Sequence, residues 1–148
     1  MRSLTIKEVT KENEKDSAEV FKKISKDPQD LPLLKEDPKD NSLLTAILYE
    51  NNKGVACGRL EVRDKTAWLK IFSTKDKEEE FSYLMLEYLL EESEKMKINE
   101  IRLSIFKSQK SIIKMCEDFD FKKHSEKGKK VLLRRVKNDH NSNRLQRL

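Results

Sequence analysis

Few special residues punctuate this chain. Its 148 residues include two cysteines, two histidines, three prolines and three glycines. Cys57 and Cys116 each lie in an apolar context, and neither belongs to a CxxC pair. That pattern excludes a disulfide framework and a cysteine-based zinc site, and it predicts two buried thiols. His124 and His140 have no acidic or thiol partner at metal-ligand spacing, so no metal is expected. No apolar run approaches the roughly 18 residues a spanning helix needs, which argues against a membrane partner. The start, MRSLTIKEVTKENEK, lacks the apolar stretch of a secretory leader. Reduced thiols and no leader together point to an intracellular, cytoplasmic setting, with the nucleus also compatible. No aromatic residue follows Phe121, so the end of the chain has no ring on which a nucleobase could stack.

What is abundant is charge. Charged residues make up 40% of the chain and apolar residues 36%, with a net charge of +5. Residues 122–148 hold ten Lys/Arg against Glu126 and Asp139, or +8, which leaves −3 for the rest. A mildly acidic body thus carries a basic end. Such an end can attract nucleic acid or an acidic partner, although a solvated basic tail is the favoured reading.

Residue patterning orders the chain. Leu4–Val9 reads as a strand. Asp16-Ser17 can start a helix that places Val20, Phe21 and Ile24 on one side. All three prolines fall in the next stretch, SKDPQDLPLLKEDPKDN, which predicts an irregular crossing with one short turn at Leu31–Leu34. Ser42–Glu50, Val55–Val62 and Thr66–Phe72 read as an antiparallel meander, with a hairpin turn at Asn51-Asn52-Lys53-Gly54 and a second turn at residues 63–65. In the following helix Phe81, Leu84, Met85, Tyr88 and Leu89 share one face, which Leu86 and Leu90 widen. Ile101–Ile105 is a strand. A helix over about Ser108–Asp118 turns Ile112, Met115, Cys116 and Phe119 inward, and Lys130–Val136 is the last strand. The expected fold class is α/β (α+β): one domain over 1–136 with a mixed, mostly antiparallel twisted sheet of about six strands flanked by helices, in the order β-α-loop-β-β-β-α-β-α-β. The helix joining the fourth and fifth strands predicts a parallel pair there. Residues 137–148 are expected to form a basic, flexible tail.

From Leu4 to Val136, this order resembles the GNAT N-acetyltransferase superfamily. Gly58 in VACGRL matches a glycine of the family's third strand. Lys77-Glu78-Glu79-Glu80-Phe81-Ser82 occupies the place of its pyrophosphate loop, [QR]-x-x-G-x-[GA]. Glycines there let backbone N–H groups close on the coenzyme A pyrophosphate. Here Lys77 keeps the first position, Ser82 is small, and Glu80 stands at the first glycine. The three glutamates suit the helix start itself, and Asp76 with Glu79 resembles a capping box. In the helix after the fifth strand, Gln109 stands at a family Asn and Cys116 at the Tyr that often serves as general acid. Asp120-Phe121 stands at a Gly-Phe pair.

By resemblance, then, the chain is a divergent acetyl-CoA-dependent N-acetyltransferase whose cofactor binding is weakened or lost. The alternative is a non-catalytic GNAT-like binding or regulatory module. If active, it needs acetyl-CoA and no metal, and it acts on an amine acceptor, with a homodimer common in the family. The resemblance assigns coenzyme A to Ile71, Phe72, Ser73, Lys77, Phe81, Ser82 and Gln109. Glu61 and Tyr49 on the central strands are candidate bases, and Cys116 is the candidate proton donor.

Overall fold

A computed structural model describes residues 3–24, 43–73 and 78–136. The first strand, β1 (Leu4–Glu8), leads into helix α1 (Glu14–Ile24). Asn13 prepares that helix: its side-chain oxygen accepts from the Thr10 N–H at 2.7 Å and its amide donates to the Glu8 carbonyl. Strands β2 (Leu43–Glu50), β3 (Lys53–Arg63) and β4 (Thr66–Ser73) form the expected meander. Asn51 and Asn52, both at positive φ (50° and 70°), make the β2–β3 turn, the geometry that matches the twist of a two-residue hairpin. The proline-rich crossing and its short turn lie outside the described residues.

Helix α2 (Glu78–Lys95) follows β4, then β5 (Glu100–Phe106), α3 (Lys110–Asp118), β6 (Lys122–Lys127) and β7 (Lys130–Val136). The strands form one sheet in the order β1-β2-β3-β4-β5-β7-β6. Among the described residues only β4 and β5 run parallel. The sheet therefore has seven strands where about six were expected. The extra one, Lys122-Lys123-His124-Ser125-Glu126-Lys127, is exposed along its whole length. It carries no apolar alternation and is held by its ladder with β7 at the sheet edge.

Side-chain alternation assigns the two faces. Ala46, Leu48, Ala56, Leu60, Ala67, Leu69, Ile101, Leu103 and Leu133 point to the face that buries α2 and α3 through Phe81, Met85, Leu89, Ile112 and Cys116. Gly58 lets α2 come close: a Cβ there would stand 2.6 Å from both Met85 Cγ and Leu89 Cδ1. On the opposite face Val20 of α1 packs with Val9, Ile47, Cys57 and Tyr49. The predicted inward residues of α2 hold: Phe81, Met85 and Leu89 are buried, with Leu84 and Tyr88 half-buried at the margin. No helix among the described residues is long and apolar enough to cross a membrane.

Candidate active site

Strands β4 and β5 are paired only at their beginnings. Their ladder consists of Thr66↔Glu100, Ala67↔Ile101 and Trp68↔Arg102 among the described residues. Both strands then continue. β4 runs on to Ser73, held on its other side by β3. β5 runs on to Phe106, held on its other side by β7. The result is a notch in the sheet with two facing backbone edges. It opens at the C-terminal ends of the parallel strands, where α2 and α3 begin. Both helices therefore present their N-termini, the positive ends of their dipoles, toward the side where the notch opens.

Of the expected coenzyme A contacts, Ile71, Phe72 and Ser73 form the β4 edge beyond the last β4–β5 pair. Lys77 and Asp76, the expected capping residue, lie outside the described residues. Phe81 and Ser82, in the first turns of α2, are buried at 1% and 4% exposure. Their side chains belong to the packing of the helix on the sheet. Glu79 and Glu80 are exposed at the same helix start. Gln109 is the N-cap of α3: its N–H donates to the Phe106 carbonyl at 3.0 Å and its carbonyl accepts from Ile113 at 3.0 Å. Its side chain does not cap the helix, and the first turn of α3 holds no acidic residue.

The three candidate catalytic residues are not brought together. Tyr49 and Glu61 share the α1 face, but Glu61 pairs with Leu43, six residues from Tyr49 along β2, a separation of about 20 Å. Cys116 lies in the core on the other face. Burial, with a contribution from Glu117, pushes its thiol up to about 12, so it is a reluctant proton donor at neutral pH. The Tyr49 hydroxyl is also raised to about 12, first by burial and then by its hydrogen bond to Asp16. Glu61 forms an ion pair with Arg59, its carboxylate 3.0 Å from Nε, and Arg59 is 2% exposed. Glu61 lies close to the notch: it pairs with Trp68, in the last row before β4 and β5 part.

Asp120, set by the resemblance at a glycine just after α3, has φ 73°. The chain turn there is intact, with Asp120 N–H on Glu117 O at 3.0 Å and Phe121 N–H on Cys116 O at 3.1 Å. The notch itself was missed at the sequence level. It is a relation between two strands more than thirty residues apart, and neither strand signals it alone. Among the described residues no group of three or more His, Cys, Asp or Glu could hold a metal ion.

No family model matches the chain, and no curated protein matches it in sequence. Solved structures do match. A GNAT-family acetyltransferase from Streptococcus pneumoniae superposes with a TM-score of 0.74 at 14% identity, covering 90% of this chain and 99% of that one. The ribosomal-protein-S18-alanine N-acetyltransferase of Escherichia coli gives 0.68 at 18% identity, covering 90% and 94%. The Campylobacter jejuni N-acetyltransferase PseH, in complex with acetyl coenzyme A, gives 0.67 at 13% identity, covering 92% and 100%. Likeness at these identities is likeness of fold, and the fold is that of the GNAT N-acetyltransferases.

Proposed function

We propose that this chain is an N-acetyltransferase that takes its acetyl group from acetyl-CoA and holds that cofactor weakly. The observation that carries the reading is the β4–β5 notch. Two strands that stop pairing after Trp68 and Arg102 leave facing N–H and C=O groups. A strand edge without its ladder offers those groups to an extended partner. The pantetheine arm of coenzyme A, an extended chain with two amides, fits as a short substitute strand between them.

When bound, the cofactor supplies a thioester whose acetyl carbon an amine can attack directly. The chain's part is positioning and backbone hydrogen bonding. N–H groups along Ile71–Ser73, on the β4 side of the notch, would be the candidates to hydrogen-bond the thioester carbonyl oxygen while the new C–N bond forms and the C–S bond breaks, coenzyme A leaving as its thiolate. Gln109, the N-cap of α3, is the candidate to contact the arm. Glu61, held by Arg59, is the candidate to receive a proton from the acceptor amine, through water. The helix starts divide in character. Glu79 and Glu80 at α2 oppose a pyrophosphate, whereas α3 brings no carboxylate in its first turn. Weak binding follows from the first and retained binding from the second.

Exposed Glu79 and Glu80 also favour a second reading, a GNAT-like module that binds partners without catalysis. Calorimetric titration with acetyl-CoA separates the two. Binding, with a rise in melting temperature, supports the enzyme. No heat and no shift at millimolar cofactor would sink it and leave the module.

A further inference from the structure

The α1 face of the sheet continues past α1 onto β5, β7 and β6. Register fixes which side chains stand on it, because residues paired across a ladder share a face. One row runs Trp68, Arg102, Arg134, Lys122 across four strands. A second runs Phe106, Lys130, Lys127. On β5, β7 and β6 this face holds five cations (Arg102, Arg134, Lys122, Lys127 and Lys130) and a single carboxylate, Glu100. That carboxylate lies 3.2 Å from both Arg102 and Arg134, so one anion is shared by two guanidinium groups and the face stays positive.

Two large aromatic rings stand exposed in this field, Trp68 at 38% and Phe106 at 48%. Each has a cation beside it: Arg102 is 5.7 Å from the Trp68 ring centre and Lys130 is 5.0 Å from that of Phe106. Trp68 is level with Arg102, four residues from Phe106 along β5, so the rings are about 13 Å apart along the strand. An acidic protein segment would use the cations and leave the rings idle. A single strand of nucleic acid uses both, with bases on the rings and phosphates on the neighbouring cations. We infer that this sheet face binds single-stranded nucleic acid, with Trp68 and Phe106 as stacking platforms and Arg102, Arg134, Lys122 and Lys130 as phosphate contacts. This surface does not draw on the basic chain end beyond Val136. It adjoins the notch, since Trp68 pairs with Glu61 and Phe106 ends the β5 edge, but it does not depend on acetyl transfer.

Trp68 is the sole tryptophan of the chain, so its fluorescence reports on the proposed surface directly. The full chain is titrated with an oligothymidylate of about twelve nucleotides, following tryptophan quenching and the anisotropy of a labelled strand. The expected result is quenching that saturates together with the anisotropy, and an affinity that falls with salt with a log–log slope of about −3 for four phosphates. Trp68→Leu and Phe106→Leu should each weaken binding at least about fivefold, while Trp68→Phe retains it and melting temperatures stay near that of the parent. Binding without quenching, or unchanged by the two leucine variants, overturns the proposal. So does polyglutamate competing as well as the oligonucleotide, which would make the face a dock for an acidic protein. Loss of binding on deleting residues 138–148, with the ring variants silent, would assign it to the chain end instead.

Discussion

The Tyr49 hydroxyl on β2 donates a 2.7 Å hydrogen bond to the Asp16 carboxylate on α1. It ties the helix to the sheet at the rim of a polar depression of about 360 Å³ whose lining includes Lys7, Glu12, Asn13 and Asn52. This bond gives Tyr49 a structural task far from Glu61. Tyr49→Phe should therefore lower stability by about 1 kcal/mol and leave acetyl-CoA affinity unchanged. A denaturation curve paired with a cofactor titration checks both. A loss of cofactor binding with unchanged stability would reverse the assignment.

Alkali should destabilise the fold in a defined window. Tyr49, Cys57 and Cys116 are each raised to about 12, chiefly by burial. A group whose folded pKa is raised contributes stability that is complete below its unfolded pKa and is lost as pH rises through the folded one. Unfolded values are about 8.5 for cysteine and about 10 for tyrosine. Stability should hold at neutral pH, begin to fall near pH 9 and decline through pH 12. Cys57→Ala and Cys116→Ala should each make the decline shallower. Urea denaturation at stepped pH measures it, and a curve as steep in both variants as in the parent would show that the thiols do not drive the loss.

Gly58 faces α2 across the sheet. An alanine methyl there would meet Met85 Cγ and Leu89 Cδ1, both at 2.6 Å. Gly58→Ala should therefore force the helix outward or the two side chains off their rotamers. The expected cost is about 1–3 kcal/mol. Pairing it with Met85→Ala should recover part of the loss, which a thermal denaturation series of the single and double variants would reveal.

How much of this was readable beforehand depends on the reach of each signal. Apolar spacing in α2 and the alternation of the meander are local, and Phe81, Met85, Leu89, Leu48 and Leu60 are buried as their patterns require. β6 was invisible because KKHSEK has no buried side: only its backbone ladder with β7 makes it a strand. The site was harder still. Gly58 and the place of Gln109 were legible from resemblance. The end of the β4–β5 ladder is a relation between two strands that each pair on their other side, β4 with β3 and β5 with β7, and no residue of either strand encodes it alone. The distance between Tyr49 and Glu61 is likewise a matter of register. Both read as central-strand residues, and only the pairing of Leu43 with Glu61 sets them at opposite ends.

Asp120 holds φ 73° where the resemblance sets a glycine. A left-handed conformation is strained for a side-chain-bearing residue, less so for aspartate than for most. Asp120→Gly should raise stability by about 0.5–1 kcal/mol while preserving the turn from Cys116 to Phe121. A higher melting temperature with an unchanged circular dichroism spectrum is the expected result, and a lower one would show that the aspartate side chain contributes more than its backbone costs.

The carboxylates at the start of α2 make the sharpest test, because two effects of one change run in opposite directions. Glu79 and Glu80 sit at the positive end of an 18-residue helix, where each stabilises the helix by about 0.3–1 kcal/mol. Replacing both by glutamine should therefore lower the melting temperature of the free protein. The same change removes two negative charges from the side where a pyrophosphate would lie. At a separation of about 8 Å in water each charge opposes a phosphate by about 0.5 kcal/mol, so the double variant should bind acetyl-CoA about fivefold more tightly, and more so at low salt. Weaker folding with tighter binding would locate the cofactor at this helix start. Weaker folding with unchanged binding would place the phosphates elsewhere, with α3 the remaining helix start on the notch.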